Sequence, residues 1–370
     1  MCRFLITIRI NVLNKQSNNI MHAVIFTLLL FFITSPLLAS EMRYPPGEEP
    51  LNLPANSSLM MPLPRSVHSL EDKKAETMPL YLSLIHEDKR NVWVPFQLAA
   101  TSAQKGQTEL AEHYLQLSAK RGLWYYYNLL ENNAFNSLQQ SETYRSILAE
   151  AKTRYQLYAS PFEGKAQYSV PNGSPPATGW PTVIYLHPYG RAANITPKDR
   201  LLFAEAGVAY IELNGTQMLA ENSFRWSIDS EESTHSAIQR TLQELTPKLK
   251  LNPHQVYLTA RGQGALHAGN LMAKYPQFYA GALLITPQGK IPPASYSLAE
   301  NKRIMIAYYG HQNFNGKALA LHFTNLFSNQ NLTKTASFNL REDTQGNWPL
   351  HFQQPLRWVM GKSADASPGA

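Results

Sequence analysis

From about residue 166 onward, short apolar runs rich in β-branched residues alternate with amphipathic helical stretches, and this alternation restricts the possible folds most strongly. Six runs are typical of buried strands, at residues 181–187, 208–213, 255–259, 280–285, 303–309 and 336–340. Helical patterns lie at residues 197–206, 232–245, 265–274, 316–327 and 355–360. Pro247 is expected to end the second of these helices, because proline lacks the N–H group that continues a helix.

Strands that alternate with helices form a mostly parallel sheet, which helices cover on both faces. We therefore predict an α/β fold for residues 166–361. Right-handed crossovers place the loops after the strands at one edge of such a sheet, and ligands bind at that edge. Residues at the carboxyl ends of the strands are therefore the candidates for a functional site.

Residues 76–160 show helical periodicity and no strand runs. Small residues recur where two helices would cross, at Ala99, Ser102 and Ala111, and Gly106 lies at the expected turn. The spacing predicts a small N-terminal all-α helical-hairpin module. It is similar to one tetratricopeptide-type helix pair, although an unrelated helical hairpin fits almost equally well. The resemblance implies a surface for a protein partner.

The N-terminal residues indicate a targeting signal. The apolar run at residues 23–33 follows three basic residues and precedes small residues, which is typical of a signal peptide over residues 1–40. An uncleaved anchor is the alternative, and only then would the protein be held in a membrane; Met21 is an alternative start. Residues 41–75 are rich in Pro and Ser and predict an extended linker, and residues 362–370 form a polar tail. We predict an exported protein, periplasmic or extracellular.

Charge and cysteine content exclude several classes of function. The net charge is +7, but residues 1–40 contain three basic residues and no acidic one. The remaining Lys and Arg residues are scattered, so nucleic-acid binding is not predicted. Cys2 is the single cysteine, which excludes a disulfide scaffold, a cysteine zinc site and an iron–sulfur cluster. The histidines are dispersed, and we expect no metal and no cofactor.

Three segments at the predicted ligand-binding edge carry a recognisable pattern. They are LHPYG at 186–190, ARGQG at 260–264 between a strand and a helix, and GNWP at 346–349, with YPQFYAGA at 275–282 downstream of the second. Together they resemble the α/β-hydrolase fold, most closely the polyhydroxybutyrate depolymerase and feruloyl esterase-like branch. The resemblance covers about residues 166–361. It implies an α/β-hydrolase-like sheet and the frame of a serine esterase.

The residues that the resemblance assigns to catalysis lack the necessary chemistry. The family places its nucleophile at the centre of G-x-S-x-G, on a strained strand-to-helix turn. The matching residue is Gly262, which has no side chain and can form no alkoxide. The positions of the acid and of the histidine match Asn313 and Asn347, which can neither stabilise an imidazolium by charge nor shuttle a proton. The resemblance therefore implies a vacant triad.

Other residues at this edge would form a binding cleft. The cleft residues implied by the resemblance are His187, Tyr189, Gly190, Arg261, Gln263, Gly264 and Trp348. Pro188 replaces a glycine of the oxyanion loop and removes one N–H donor. Arg261 and Gln263 could bind a carboxylate or phosphate at the helix N-terminus, or they could be solvated beside a tight turn. His351 is a rescue candidate for the missing base.

Two functions remain open from the sequence. The first is an exported binding or scaffold protein that is catalytically degenerate and takes a small apolar or ester-like ligand or a protein partner. Its motivation is the set of three vacant triad positions. The alternative is an active carboxylester hydrolase whose catalytic site is displaced or unorthodox and uses His351. Its motivation is the well-kept fold pattern.

Overall fold

The structure is a computed structural model that describes residues 81–82, 84–86, 91–309, 314–328, 333–338 and 352–362. The described residues fall within one compact unit, Leu53–Ala370. The predicted signal peptide, linker and all but the first residue of the predicted tail lie outside the described residues. So do Asn313, Asn347, Trp348 and His351.

A seven-stranded sheet forms the centre of the molecule, and the predicted α/β fold class is confirmed. The strands are β1 (Ala166–Ser169), β2 (Trp180–Leu186), β3 (Ala209–Leu213), β4 (Gln217–Ala220), β5 (Ser223–Arg225), β6 (Leu251–Arg261), β7 (Gly281–Ile285), β8 (Arg303–Tyr309) and β9 (Thr333–Phe338). The sheet order is β1-β3-β2-β6-β7-β8-β9. All its pairs are parallel except β1 with β3. The edge strand β1 and the separate β4–β5 hairpin were not predicted from the sequence.

Helices cover both faces of the sheet and precede it. They are α1 (Trp93–Gln104), α2 (Thr108–Lys120), α3 (Tyr126–Glu131), α4 (Glu142–Tyr158), α5 (Pro197–Glu205), α6 (Glu232–Leu249), α7 (Gln263–Lys274), α8 (Phe314–Ser328) and α9 (Gln353–Val359). Apolar residues of α6, α7 and α8 pack on one face, and those of α5 and α9 pack on the other. Among the described residues, no helix is both long and apolar enough to cross a membrane.

The expectation that Pro247 ends helix α6 is wrong. The helix continues through Pro247 to Leu249 and ends at Lys250, which has a left-handed φ of 52°. Proline removes one N–H group from the last turn only, and the Lys250 N–H still bonds to the Thr246 carbonyl. Leu245 is buried in the sheet core and Leu249 packs against it, so tertiary contacts hold the last turn.

The predicted helical hairpin is present as α1 and α2. Gly106, with a φ of 72°, lies at the turn between them, and Ala99, Ser102 and Ala111 are buried. Ala99 and Ala111 belong to one hydrophobic cluster with Met218 and Phe224 of the β4–β5 hairpin. The helical segment is therefore packed against the α/β part of the chain. Its likeness to a tetratricopeptide pair stays a prediction.

Glu212 is a buried carboxyl on β3, on the sheet face that α5 and α9 cover. It is 1% exposed, and burial raises the pKa of its carboxyl to about 8, with the nearby Asp199 carboxylate acting in the same direction. The nearby Asn194 backbone and Tyr210 hydroxyl oppose the rise in pKa. At neutral pH the carboxyl is therefore mostly protonated.

We expect the Glu212 carboxyl to lower the free energy of unfolding as pH rises from 6.5 to 8, by at most roughly 1.4 kcal/mol per pH unit and by less as the pH approaches 8. Over most of this window the folded protein keeps the Glu212 proton, whereas the unfolded chain, with a pKa near 4.5, has lost it. The Glu212→Gln variant should lose most of this fall, as measured by urea denaturation at both pH values. The exposed Glu205 on α5 gives a control, Glu205→Gln, which should behave like the wild type. An unchanged slope in Glu212→Gln would contradict the assignment.

Candidate functional site

A sharp turn joins β6 to α7, and Gly262 is its single residue. Its φ of 55° and ψ of −121° lie where L side chains are rarely found. The Gly262 N–H donates to the Ile285 carbonyl over 3.0 Å, and its carbonyl accepts the Ala265 N–H over 3.1 Å. The strand-to-helix turn at which the sequence resemblance places a nucleophile therefore carries no side chain.

Pro188 fills the space in front of this turn. A Cβ atom placed on Gly262 would lie 3.1 Å from the Pro188 Cβ and 3.6 Å from its Cα. The first distance is shorter than ordinary contacts between carbon atoms, which lie near 3.5–4.0 Å. A side chain at position 262 would therefore require Pro188 to move. The two residues that depart from the pattern of the resemblance therefore lie side by side at this turn.

The loop after β2 is closed by backbone pairing with the β4–β5 hairpin. The Gly190 N–H donates to the Phe224 carbonyl over 2.8 Å, and the Phe224 N–H donates to the Arg191 carbonyl over 2.9 Å. An oxyanion hole needs N–H groups that point at the ligand oxygen. Pro188 has no N–H group, and that of Gly190 is already bonded. The side chain of Tyr189, between them, is half exposed.

His187 links the loop after β2 to the loop after β3 by hydrogen bonds, and it is not placed to transfer protons. Its Nε2 accepts the Gly215 N–H over 2.9 Å, and its Nδ1 lies 2.8 Å from the Pro188 carbonyl. These partners fix a neutral ring, in which Nδ1–H donates and Nε2 accepts. Burial lowers the pKa of His187 to about 4, so the ring stays neutral at physiological pH. Both ring nitrogens are bound to backbone atoms.

Gln263 and Gly264 open helix α7 and pack inward. Both polar atoms of the Gln263 amide bond to the backbone of Trp226: Oε1 accepts its N–H over 3.0 Å and Nε2 donates to its carbonyl over 2.8 Å. A Cβ atom on Gly264 would lie 2.2 Å from the Leu186 carbonyl oxygen. Gly264 thus lets α7 approach β2, while Arg261, just before the turn, ends β6.

Gln263 is the first member of a polar stripe on α7 that the sequence analysis missed. His267, Asn270 and Lys274 follow it at helical spacing. His267 Nδ1 lies 2.9 Å from the Thr234 hydroxyl, and burial lowers its pKa to about 4. Asn270 and Lys274 both bond to the Glu231 carboxylate. Four polar residues one or two turns apart on a buried helix were the available signal, and they hold the segment from Trp226 to Thr234 over the helix.

Thr286 is a second missed residue, and it follows β7 directly. Its φ is 48°, and its hydroxyl oxygen is buried and forms no hydrogen bond with any described residue. The Thr286 peptide group includes the Ile285 carbonyl that accepts the Gly262 N–H. No sequence pattern marks this residue, because only the fold sets its backbone conformation and its neighbours.

The structure thus brings together Gly262, Gln263 and Gly264 with the loop from His187 to Gly190, at the carboxyl ends of the neighbouring strands β2 and β6. Asn313, Asn347, Trp348 and His351 cannot be placed beside them, since they lie outside the described residues. Among the described residues, no three His, Cys, Asp or Glu side chains are grouped to hold a metal ion.

No protein-family model matches the sequence. The chain is 27% identical over 161 residues to the candidate esterase NocK from Nocardia uniformis subsp. tsuyamanensis, a match that covers 41% of this chain. It covers 43% of NocK, so the matched part spans less than half of that relative. The chain is therefore similar to an esterase over part of its length.

Two solved carboxylesterases also align with the chain. One is from Bacillus cereus, with a TM-score of 0.39 and 18% identity, over 54% of this chain and 94% of that one. The other is from Mesorhizobium loti, with a TM-score of 0.40 and 16% identity, over 49% of this chain and 88% of that one.

Proposed function

We propose that this chain is an exported protein with an α/β-hydrolase-like frame that binds a ligand or partner and does not hydrolyse esters. The observation that carries the proposal is the turn at Gly262. The residue has no side chain, and Pro188 lies 3.1 Å from the place where one would begin. Acyl transfer by this kind of site requires a nucleophile at that point.

The loop after β2 supports the same conclusion. An oxyanion hole contributes a large share of transition-state stabilisation in acyl transfer. It depends on preorganised N–H donors that are not already bonded and that point at the developing charge. Pro188 offers none, and the Gly190 N–H is bonded to the Phe224 carbonyl. The geometry of both the nucleophile and the oxyanion loop favours binding without turnover.

Ligand and location follow as parts of the proposal. A small apolar or ester-like molecule suits the edge of the sheet where the strands end. The apolar run at residues 23–33 supports export, to the periplasm or beyond. A protein partner would bind the outer surface of the helical segment, because its inner residues Trp124 and Tyr125 are buried.

The test is hydrolysis of p-nitrophenyl esters by the purified protein. We expect a rate equal to that of the heat-denatured protein, because no hydroxyl stands at the turn. A second sample carries Gly262→Ser, Asn313→Asp, Asn347→His and Pro188→Gly together. Turnover by this variant and not by the wild type would support both the assignment of the three triad positions and the lack of catalysis in the wild type. Turnover by the wild type that a single cleft substitution abolishes would overturn the proposal.

An active carboxylester hydrolase with a displaced site is the second candidate. Its support is the 27% identity to the candidate esterase NocK and the preserved strand-to-helix turn at Gly262. His351 would then serve as the base. Labelling with a fluorophosphonate followed by peptide mass spectrometry separates the two candidates: a stoichiometric adduct on one hydroxyl favours the enzyme, and the absence of any adduct favours the binding protein.

A further inference from the structure

The chain contains three asparagines that are followed directly by glycine, and the fold places them in different environments. The dipeptides are Asn172-Gly173, Asn214-Gly215 and Asn315-Gly316. Asparagine is a chemically labile residue, and a glycine after it removes the side chain that would hinder attack by the glycine's backbone nitrogen. That attack, on the side-chain amide carbon of the asparagine, requires an available nitrogen and a backbone that can rotate. The environment of each dipeptide therefore decides whether it reacts.

The first dipeptide, Asn172-Gly173, lies in the loop that joins the edge strand β1 to β2. Both residues are exposed, and a Cβ atom on Gly173 would have nothing within 4 Å. Neither the Asn172 side chain nor the Gly173 N–H forms a hydrogen bond with any residue that the structure describes. The amide carbon and the nitrogen can therefore approach each other without breaking a contact of the fold.

The second dipeptide, Asn214-Gly215, is held in place by hydrogen bonds. The Asn214 side chain donates to the Phe162 carbonyl over 3.0 Å and accepts the Ala193 N–H over 2.8 Å. The Gly215 N–H, whose nitrogen would attack, donates to His187 Nε2 over 2.9 Å. Reaction here requires these bonds to open first, and local opening costs free energy.

The third dipeptide, Asn315-Gly316, lies in the first turn of α8. Closing a ring between the two residues requires the asparagine backbone to leave the helical conformation. Gly316 is buried, and a Cβ atom on it would lie 2.8 Å from the Thr286 Cγ2, so this turn is packed against the residue that follows β7. The dipeptide therefore reacts only when the start of α8 unfolds locally.

We propose that Asn172 is a site of spontaneous deamidation in the folded protein, with water as the only co-reactant. The Gly173 nitrogen gives up its proton and bonds to the side-chain amide carbon of Asn172. The bond from that carbon to the amide nitrogen breaks, and this nitrogen takes the proton and leaves as ammonia. Water then opens the resulting five-membered succinimide at one of its two carbonyls, which gives aspartate or isoaspartate. The net change replaces a side-chain amide by a carboxylate.

The modified loop lies at the edge of the sheet opposite the candidate site. Strand β1 runs antiparallel to β3, and its last residue, Ser169, pairs with Tyr210 near the amino end of β3. The loop continues to Trp180, the first residue of β2, whereas Gly262 follows the carboxyl end of β6. Deamidation adds one negative charge at the amino-end edge, because an aspartate is ionised at neutral pH. Asn172 can therefore deamidate whether or not the protein hydrolyses esters.

The experiment incubates the purified protein in mildly alkaline buffer and follows its tryptic peptides by tandem mass spectrometry. We expect aspartate and isoaspartate to accumulate at Asn172 at least about tenfold faster than at Asn214 or Asn315, because the latter two must first open locally. The rate at Asn172 should rise with pH, because the attacking nitrogen must lose its proton. In guanidinium chloride the three rates should become similar, because the protection is lost with the fold.

Asn172→Gln is the matched control, because its longer side chain would have to close a six-membered ring and should give no product. Asn172→Asp carries the charge of the product. On isoelectric focusing, the aged wild type should acquire a band at the position of Asn172→Asp, and aged Asn172→Gln should not. The proposal is overturned if Asn172 stays unmodified in the folded protein, or if Asn214 or Asn315 reacts as fast as Asn172 there. Equal bands in the aged wild type and aged Asn172→Gln would also overturn it.

Discussion

The Glu131→Gln variant should lose about 3 kcal/mol of unfolding free energy, toward the low end of what breaking a buried ion pair costs. Arg225 of β5 is 5% exposed, and both terminal guanidinium nitrogens bond to the Glu131 carboxylate at the end of α3. Its Nε donates to the Gln217 Oε1 over 2.7 Å, and its guanidinium lies 5.1 Å from the centre of the Tyr127 ring. The substitution leaves a buried cation without its countercharge. The low end applies because the Glu131 side chain is a quarter exposed.

This loss is measured by urea denaturation, followed by far-ultraviolet circular dichroism. Glu150→Gln is the matched control: Glu150 pairs with Arg154 on the exposed face of α4, and surface pairs contribute at most about 1 kcal/mol. Adding Arg225→Leu to Glu131→Gln should recover much of the loss, because it removes the unpaired charge. Equal small losses in Glu131→Gln and Glu150→Gln would show that the pair does not hold the helical segment to the hairpin.

The Gly262→Ser variant should also be destabilised by about 3 kcal/mol. A backbone with φ of 55° and ψ of −121° costs an L residue roughly 1–3 kcal/mol, and forcing extra atoms into packed space costs roughly 1–3 kcal/mol. The second part arises from Pro188, which lies 3.1 Å from the new Cβ. Placing a serine at this turn is therefore expected to destabilise the fold before it supplies a nucleophile.

Gly106→Ser separates the two contributions. Gly106 has a φ of 72°, and nothing lies within 4 Å of the place where its Cβ would be, so this control measures the cost of a side chain at positive φ without crowding. Thermal and urea unfolding should give a larger loss for Gly262→Ser than for Gly106→Ser. Adding Pro188→Gly should raise the free energy of unfolding of the Gly262→Ser protein more than it raises that of the wild type. Equal losses at both glycines would mean that Pro188 does not close the turn.

Local signals explain why most of the sheet could be predicted. The runs around β2, β3, β6, β7 and β8 are apolar because helices cover them on both faces, and such burial leaves its mark on each strand separately. Strand β1 has four residues and lies at the sheet edge with a half-exposed pattern, so it left no comparable run. The β4–β5 hairpin is equally short. Helix α6 ran past Pro247 because packing of Leu245 and Leu249 outweighed the missing N–H.

The features of the candidate site also fall into those that the sequence predicted and those that only the folded structure shows. The lack of a side chain at Gly262 and the lack of an N–H at Pro188 are covalent facts, so the sequence alone stated them. Their contact, and the use of the Gly190 N–H by Phe224, required the loops to be folded. The sequence around Thr286 does not predict its positive φ.

The sequence by itself determined the alternating α/β architecture, the helical hairpin before it and the absence of a side chain at residue 262, because each depends on residue type and local spacing. The tertiary structure alone decided how these parts act together. Glu131 and Arg225 are 94 residues apart in the chain, and Thr286 lies between two helices that begin 51 residues apart, at Gln263 and Phe314. Contacts across such separations are fixed by the packing of the whole chain, which local patterns do not encode.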